Sequence, residues 1–249
     1  MPLQTQSSEL RPTSSYADVD LGYVEPSRGG VDYDFSPSIE SPVTTFGFLA
    51  FKRVFDLVVT VLISPFVLSV VALIAVAVAL ESPGPIFFSH RRIHRGGAYF
   101  SMWKFRTMCL NSAEVLSKHL EEHPEDREEW ALNHKLKNDP RVSRLGLFLR
   151  RTSLDELPQI WNVFTGTMSI VGPRPIVTAE VEKYGADFAY YTMVKPGITG
   201  LWQASGRSTL TYPQRVALDR RYVEHWTPWL EIKILIRTVR VVFNMNGAY

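Results

Sequence analysis

Cysteine is nearly missing from this 249-residue chain, with Cys109 standing alone. One thiol excludes an intramolecular disulfide and a zinc site built from several thiolates, and it suits a reducing compartment. The six histidines lack metal-ligand spacing on any recognisable element, so they read as structural or surface groups. Met1 is not followed by the basic stretch and apolar run of a secretory signal. No internal repeat is present. Basic residues are scarce in one region only: two of the 27 lie within residues 1–45, against seven of the 25 acidic ones. That stretch is rich in Ser, Pro, Gly and Thr, a composition that cannot repay the entropy of ordering, and a disordered tail over 1–45 is expected. The remainder then carries a surplus of seven positive charges, suited to phosphates, membrane surfaces or nucleic acid.

From Val54 to Leu80 the chain is almost wholly apolar, interrupted by Asp56, Thr60, Ser64, Pro65 and Ser69. A membrane span needs roughly 20 apolar residues, so a single-pass anchor is the simplest reading. Two features argue for another. Pro65 removes a backbone donor and clashes with the preceding turn, which predicts a bend at Ser64-Pro65, with Ser64 available to bond a freed backbone group. Lys52 and Arg53 flank one end and Arg91, Arg92 and Arg95 the other, so a single pass would leave one cationic cluster outside. A re-entrant hairpin over 46–82 that enters and returns to the same face satisfies both flanks. Asp56 would then pair with Lys52 or Arg53 near the interface.

Ser82-Pro83-Gly84-Pro85 ends that segment, and apolar runs on either side of Gly96-Gly97 predict a short β-hairpin. Helix formers dominate Ala113 to Lys137, with Pro124 splitting them in two. Leu145 to Phe164 carries an apolar series at broadly helical spacing. After Trp226-Thr227-Pro228-Trp229 an amphipathic helix is expected, with Lys233, Arg237 and Arg240 on one face, suited to a membrane interface or to ordinary packing on the domain. The fold class is therefore α+β, mainly helical, with a catalytic domain over 83–249.

Ser153-Leu154-Asp155-Glu156 fits a capping box, in which Ser153 caps a helix and Glu156 reaches back to it. Arg150 and Arg151 precede it and Gly172-Pro173-Arg174-Pro175 follows, supplying guanidinium groups suited to phosphate. Among these cations Asp155 is expected to stay ionised, able to act as nucleophile or to bind magnesium beside a diphosphate. Lys104-Phe105-Arg106-Thr107 is a second cationic cluster that reads equally as a strand edge. Lys195-Pro196-Gly197-Ile198-Thr199-Gly200, with Gly206-Arg207, is a loop that glycine lets approach a ligand closely, or a tight turn anchored by Trp202.

Taken in order, these motifs resemble the monotopic bacterial sugar-phosphate transferases that start exopolysaccharide, capsule and O-antigen synthesis. The resemblance covers about Phe51 to Tyr249, including Lys52-Arg53-Val54-Phe55-Asp56, Asn138-Asp139-Pro140-Arg141, the segment from Ser153 to Gln159, and Met168 to Pro175. In form the chain is most similar to the galactosyl- or glucosyl-phosphate transferases of the succinoglycan type. The resemblance implies transfer of a sugar 1-phosphate from a UDP-sugar to undecaprenyl phosphate, with release of UMP. Asp155 matches the nucleophile and a magnesium ligand, and Glu156 the second member of the dyad. Lys104, Arg106, Arg151, Arg174 and Arg207 match phosphate-binding positions. It further implies Mg2+ as cofactor, inner-membrane lipids as partners, a homodimer, no nucleic acid, and a catalytic domain facing the cytoplasm from the bacterial inner membrane. The chain departs from many relatives at Ile176, where glutamate is frequent, and at Thr167, where an acid often precedes Met-Ser. A membrane-attached hydrolase with paired carboxylates, and a scaffold whose arginines bind anionic lipid, are the competing readings.

Overall fold

The computed structural model of the chain describes residues 41–133, 136–206 and 209–243. The expected mainly helical class holds, with two small two-stranded sheets among nine described α-helices. Residues 1–40 lie outside the described residues. Of residues 41–45, placed by composition in the tail, Ser41 and Val43 are buried against the domain. Ser41 Oγ donates to the Val223 carbonyl (2.6 Å), and Val43 is 2 % exposed. Thr45 Oγ1 then accepts from the Phe48 amide (3.2 Å) and caps the following helix.

That helix, α1 (Phe46–Glu81), is one element of 36 residues with Pro65 inside it, about 54 Å long at 1.5 Å per residue if straight. The helical backbone runs on through Ser64-Pro65 as one element, so the expected bend there is not a break in the helix. Pro65 leaves the Val61 carbonyl without its amide donor, and the Ser64 hydroxyl donates to that same oxygen (2.9 Å), which keeps the ladder satisfied. Phe48, Lys52, Asp56, Thr60, Val67, Ile74 and Val78 are buried at steps of four and seven, forming one stripe against the protein. Away from that stripe, Val61, Leu62, Phe66, Leu73 and Leu80 are exposed. Only 11 % of its most apolar stretch is buried within the protein, and by length and composition it can cross a membrane.

Both ends of α1 are fastened to the same body. Near its start, the Lys52 ammonium donates to the Val171 carbonyl (2.8 Å) and to Glu231 (2.9 Å), and lies 3.9 Å from Asp56. The expected Lys52–Asp56 pairing is therefore present, but inside the protein. Asp56 chiefly accepts from Ser169 Oγ and the Ile170 amide, both at 2.9 Å. At its end, the Glu81 carboxylate accepts from Ser143 Oγ (2.7 Å) and the Leu145 amide (3.1 Å), while Ile74 and Val78 pack on Phe105 and Leu149.

The predicted hairpin forms as antiparallel β1 (Phe87–Ile93) and β2 (Tyr99–Phe105). Pro124 opens α3 (Pro124–Asn133) directly after α2 (Ser112–Glu122), as expected. The apolar series from Leu145 is not one helix but α4 (Arg144–Thr152), a single 3-10 turn over Leu154–Glu156, and α5 (Gln159–Thr165). Parallel β3 (Ser169–Val171) and β4 (Gly197–Thr199) enclose α6 (Val181–Tyr184) and α7 (Phe188–Met193) between them in sequence. The chain continues with α8 (Tyr212–Glu224) and α9 (Pro228–Phe243).

On α9, Glu231 and Ile234 face inward and are fully buried, while Trp229, Ile232, Ile236 and Val239 form an exposed apolar stripe. Glu231 also accepts from Tyr222 Oη (2.5 Å) and Trp226 Nε1 (2.7 Å). This carboxylate thus joins α1, α8 and α9 in the dry interior, where stripping it of a cation is costly. Lys52→Met is expected to lower stability by about 3–5 kcal/mol. The double variant Lys52→Met/Glu231→Gln recovers part of it, because a neutral amide still accepts from Tyr222 and Trp226. Thermal unfolding of the two variants measures the difference, and equal losses would contradict the ion-pair account.

Candidate active site

Ser153 ends α4 in the left-handed region, with φ 58°, and its side chain makes no capping bond. The capping box read from the sequence is therefore absent. The backbone has turned before the helix that the box would start, and Glu156 reaches a cation instead of the Ser153 amide. A non-glycine residue at this φ costs roughly 1–2 kcal/mol, so tertiary contacts must hold it there. The turn sets Asp155 and Glu156 beside β2. Lys104 Nζ lies 2.7 Å from Glu156 Oε1 and 3.6 Å from Asp155 Oδ2, so one ammonium receives both carboxylates.

The position of Lys104 is set from α5. Asn162, 3 % exposed, accepts from the Trp103 amide (3.0 Å) and donates to the Ser101 carbonyl (2.8 Å), clipping β2 along its length. The sequence reading missed Asn162. Its signal was one amide on an otherwise apolar helical face, Ile160 to Phe164.

The two carboxylates differ electrostatically. Burial raises the Asp155 pKa above the ordinary carboxylate value, with the Glu156 charge adding to it and Lys104 and Arg150 opposing. For Glu156 burial also pushes upward, but Lys104, Arg174 and Arg92 together outweigh it, and its pKa is lowered. The cations expected to hold Asp155 ionised are thus opposed by its burial, which sets the direction of its shift. The cations act mainly on Glu156, leaving Asp155 the more basic carboxylate.

Of the cations singled out in sequence, Lys104 and Arg174 meet at the dyad. Arg106 does not: its guanidinium donates to the Ser82 carbonyl (2.6 Å), Ser82 Oγ (2.8 Å) and the Pro83 carbonyl (3.0 Å), tying the exit of α1 to β2. Arg151 is exposed on α4, and its neighbour Arg150 turns inward to Thr107 Oγ1 (2.9 Å) and toward Asp155. Arg207 lies outside the described residues. Arg92 was missed as a site residue because on β1 it read only as part of a membrane flank. It is half-buried, 3.7 Å from Glu180, and its pKa is lowered by burial and by the neighbouring Arg174 charge. Arg92 and Arg174 both act on the Glu156 carboxylate.

Arg174 is carried by the loop after β3. The Gly172 amide donates to the Thr199 carbonyl and the Gly197 amide to the Pro173 carbonyl, both at 2.8 Å. The two backbones approach so closely that a Cβ on Gly197 would meet the Gly172 nitrogen at 2.1 Å. Asn138-Asp139-Pro140-Arg141 is structural: Arg141 donates to both Asp139 oxygens (2.8 and 2.6 Å) and stacks on Trp130. A cavity of 340 Å³ lies away from the dyad, beneath the exit of α1, where Arg106 and Arg141 line it with their charges already engaged.

The pattern that defines the bacterial sugar transferases matches residues 48–245, from the first turn of α1 to beyond α9. The chain belongs to the bacterial sugar transferase family. It is 48% identical over 198 residues to the undecaprenyl-phosphate galactose phosphotransferase of Salmonella typhimurium, covering 80% of this chain and 41% of that protein. Against the exopolysaccharide production protein ExoY of Rhizobium meliloti it is 42% identical over 219 residues, covering 86% of this chain and 95% of that one. The UDP-glucose:undecaprenyl-phosphate glucose-1-phosphate transferase of Escherichia coli K12 is 40% identical over 206 residues, 80% and 41% of the two chains. The chain thus spans about two fifths of the long relatives and nearly the whole of the short one. As a bacterial sugar transferase it has structural reasons for its two departures. Ile176 is 3 % exposed within an apolar cluster containing Ile93 and Tyr191. Thr167 Oγ1 accepts from Asn162 Nδ2 (3.0 Å) and so helps hold the β2 clip.

Because the Ser153 hydroxyl caps nothing, Ser153→Ala should leave stability within about 0.5 kcal/mol. Ser153→Gly should raise it by about 1 kcal/mol through relief of the positive φ. Chemical denaturation checks both. A cost of 1 kcal/mol or more for the alanine variant would restore the capping role.

Proposed function

We propose that the chain transfers a sugar 1-phosphate, galactose or glucose, from a UDP-sugar to undecaprenyl phosphate, and so starts an exopolysaccharide. The observation that carries this reading is the pair Asp155 and Glu156 sharing Lys104, with the cations weighted toward Glu156 and the more basic carboxylate left beside them. The printed names of the galactose and glucose relatives support the substrate class.

In this mechanism an Asp155 oxygen attacks the phosphorus that bears the sugar. The bond from that phosphorus to the bridging oxygen breaks, UMP leaves with the bridging oxygen, and the sugar phosphate is held on Asp155 as an acyl phosphate. A phosphate oxygen of the lipid then attacks the same phosphorus, freeing the carboxylate and forming the lipid diphosphate sugar. Lys104, Arg92 and Arg174 hold phosphate oxygens and stabilise the charge that builds up. Glu156 remains ionised and orients Lys104.

The donor set fits magnesium in one way only. Among the described residues no group of three or more metal-ligating side chains occurs. Magnesium is commonly held by one or two carboxylates with substrate phosphates completing the shell, and Asp155 with Glu156 can contribute that share. When bound it would supply charge neutralisation at the diphosphate. A hydrolase that flanks a glycosidic bond needs its carboxylates on opposite sides of the sugar, roughly 5 Å or more apart. Two carboxylates converging on one ammonium from a single turn favour transfer over that alternative.

Asp155→Asn should abolish UMP release from UDP-galactose and UDP-glucose; retained turnover would remove Asp155 from the nucleophilic role. A hydrolase would give free sugar or sugar phosphate without added polyprenyl phosphate. Because Asp155 must be ionised to attack, and burial raises its pKa, activity should fall on the acid side at a higher pH than an ordinary aspartate would set. Glu156→Gln removes a charge that raises the Asp155 pKa and frees Lys104 to lower it. The acid limb of the residual kcat/KM profile should therefore move to lower pH, and an upward move would contradict this division of roles.

For topology, α1 is a membrane-embedded helix whose two ends return to one face, with α9 at the interface. The support is that Lys52 and Glu81, near opposite ends of α1, bond to the same body, and that α9 exposes an apolar stripe beside Lys233, Arg237 and Arg240. Such an arrangement places the dyad at the bacterial inner-membrane surface, facing the cytoplasm. Single cysteines before Lys52 and after Arg95, in a Cys109→Ser background, should both resist an impermeant reagent in intact cells. Labelling of one of them from outside would establish a single pass.

A further inference from the structure

A second group of cations lies outside the dyad, at the start of α1. Lys195, half-buried in the loop before β4, makes no hydrogen bond or ion pair with a carboxylate among the described residues. Its nearest charges are Arg53, Asp56, Arg95 and Lys52. Gly166 locates the group: a Cβ there would sit 3.2 Å from Arg53 Nη1 and 3.4 Å from Lys195 Nζ, so the two cations face one small space. Burial and the Arg53 and Arg95 charges lower the Lys195 pKa, and His94 feels Lys195 and Arg95 in the same direction.

The neighbouring acid does not answer this charge. Asp56 is 2 % exposed, and the same carboxylate oxygen receives Ser169 Oγ and the Ile170 amide. Glu231 is fully buried on Lys52. Arg53 donates to the Val163 and Phe164 carbonyls (2.9 Å each), which fixes its guanidinium at the end of α5 while leaving its charge uncompensated.

The surroundings identify the kind of anion. On α5, Trp161 and Phe164 stack on one another and are 58 % and 48 % exposed; Phe46 on the first turn of α1 is 86 % exposed. Exposed aromatics beside cations, continuous with the apolar face of α1, match the level of lipid head groups, where phosphate meets hydrocarbon. We propose that Arg53 and Lys195 form a second phosphate site, separate from the dyad, that takes the head group of a membrane lipid. The proposal rests on the membrane placement of α1 and not on the transfer reaction. A lipid held here is fixed beside β3 and β4, which carry the loop of Arg174.

The test uses the full chain in dodecyl maltoside, titrated with dioctanoyl phosphatidylglycerol and followed by thermal unfolding. Wild type and Asp155→Asn should show the same saturable rise in midpoint, so a failure of the transfer reading leaves this result intact. Lys195→Ala and Arg53→Gln should each weaken the apparent affinity at least fivefold, while Lys104→Met retains it. Unchanged affinity in both variants would overturn the proposal. So would an equal rise with dioctanoylglycerol, which has no phosphate. A rise with inorganic phosphate and none with the phospholipid would make this a site for a soluble anion and overturn the lipid assignment.

Discussion

The ammonium of Lys52 is the point on which the molecule turns. It sits one and a half turns into an apolar helix and is nevertheless buried, bonded to the Val171 carbonyl and to Glu231. Val171 ends β3, and the next three residues are Gly172, Pro173 and Arg174. Asp56, one turn further along α1, holds the other part of the same strand through Ser169 and Ile170. The three-residue strand that leads to Arg174 is thus bonded on both sides to charges carried by α1. A charge in such a segment is expensive unless it is paired inside protein, and here the pairing partners are the elements that build the site. Anchoring and positioning are performed by the same atoms.

Division of labour within the dyad follows from which carboxylate the cations reach. Lys104 is shared, but its short contact is to Glu156, and Arg92 and Arg174 act on that side as well. Asp155 is left with burial as its dominant influence. A nucleophilic oxygen gains from being more basic, while an ionised neighbour that steadies a lysine gains from being less so. Two adjacent residues of similar chemistry are separated in basicity by a difference in their surroundings.

Much of the fold was legible in local pattern. The hairpin around Gly96-Gly97, the split at Pro124, the apolar stretch of α1 and the amphipathic α9 each follow from residues close in sequence. Ser64 filling the bonding gap left by Pro65 was equally local. The capping box failed because Ser153 closes α4 at a positive φ and its side chain caps nothing, a backbone turn that a four-residue motif does not encode. Arg106 was assigned to phosphate because a guanidinium looks the same whether it serves a ligand or two backbone carbonyls at a helix exit. Arg92 and Asn162 were passed over for the complementary reason. Their partners are distant in sequence: Glu156 for the arginine, and Trp103 and Ser101, 59 and 61 residues upstream, for the amide.

Asn162 has a consequence beyond holding Lys104 in place. A two-stranded hairpin leaves an open edge on each side, and an open edge invites pairing with a strand from another molecule. The outward-facing groups of β2 at Ser101 and Trp103 are already bonded to one side-chain amide, which imitates the peptide unit of a third strand. The sheet is closed on that side by a single residue of a helix, and newly made chains crowded at a membrane are denied one template for sticking edge to edge.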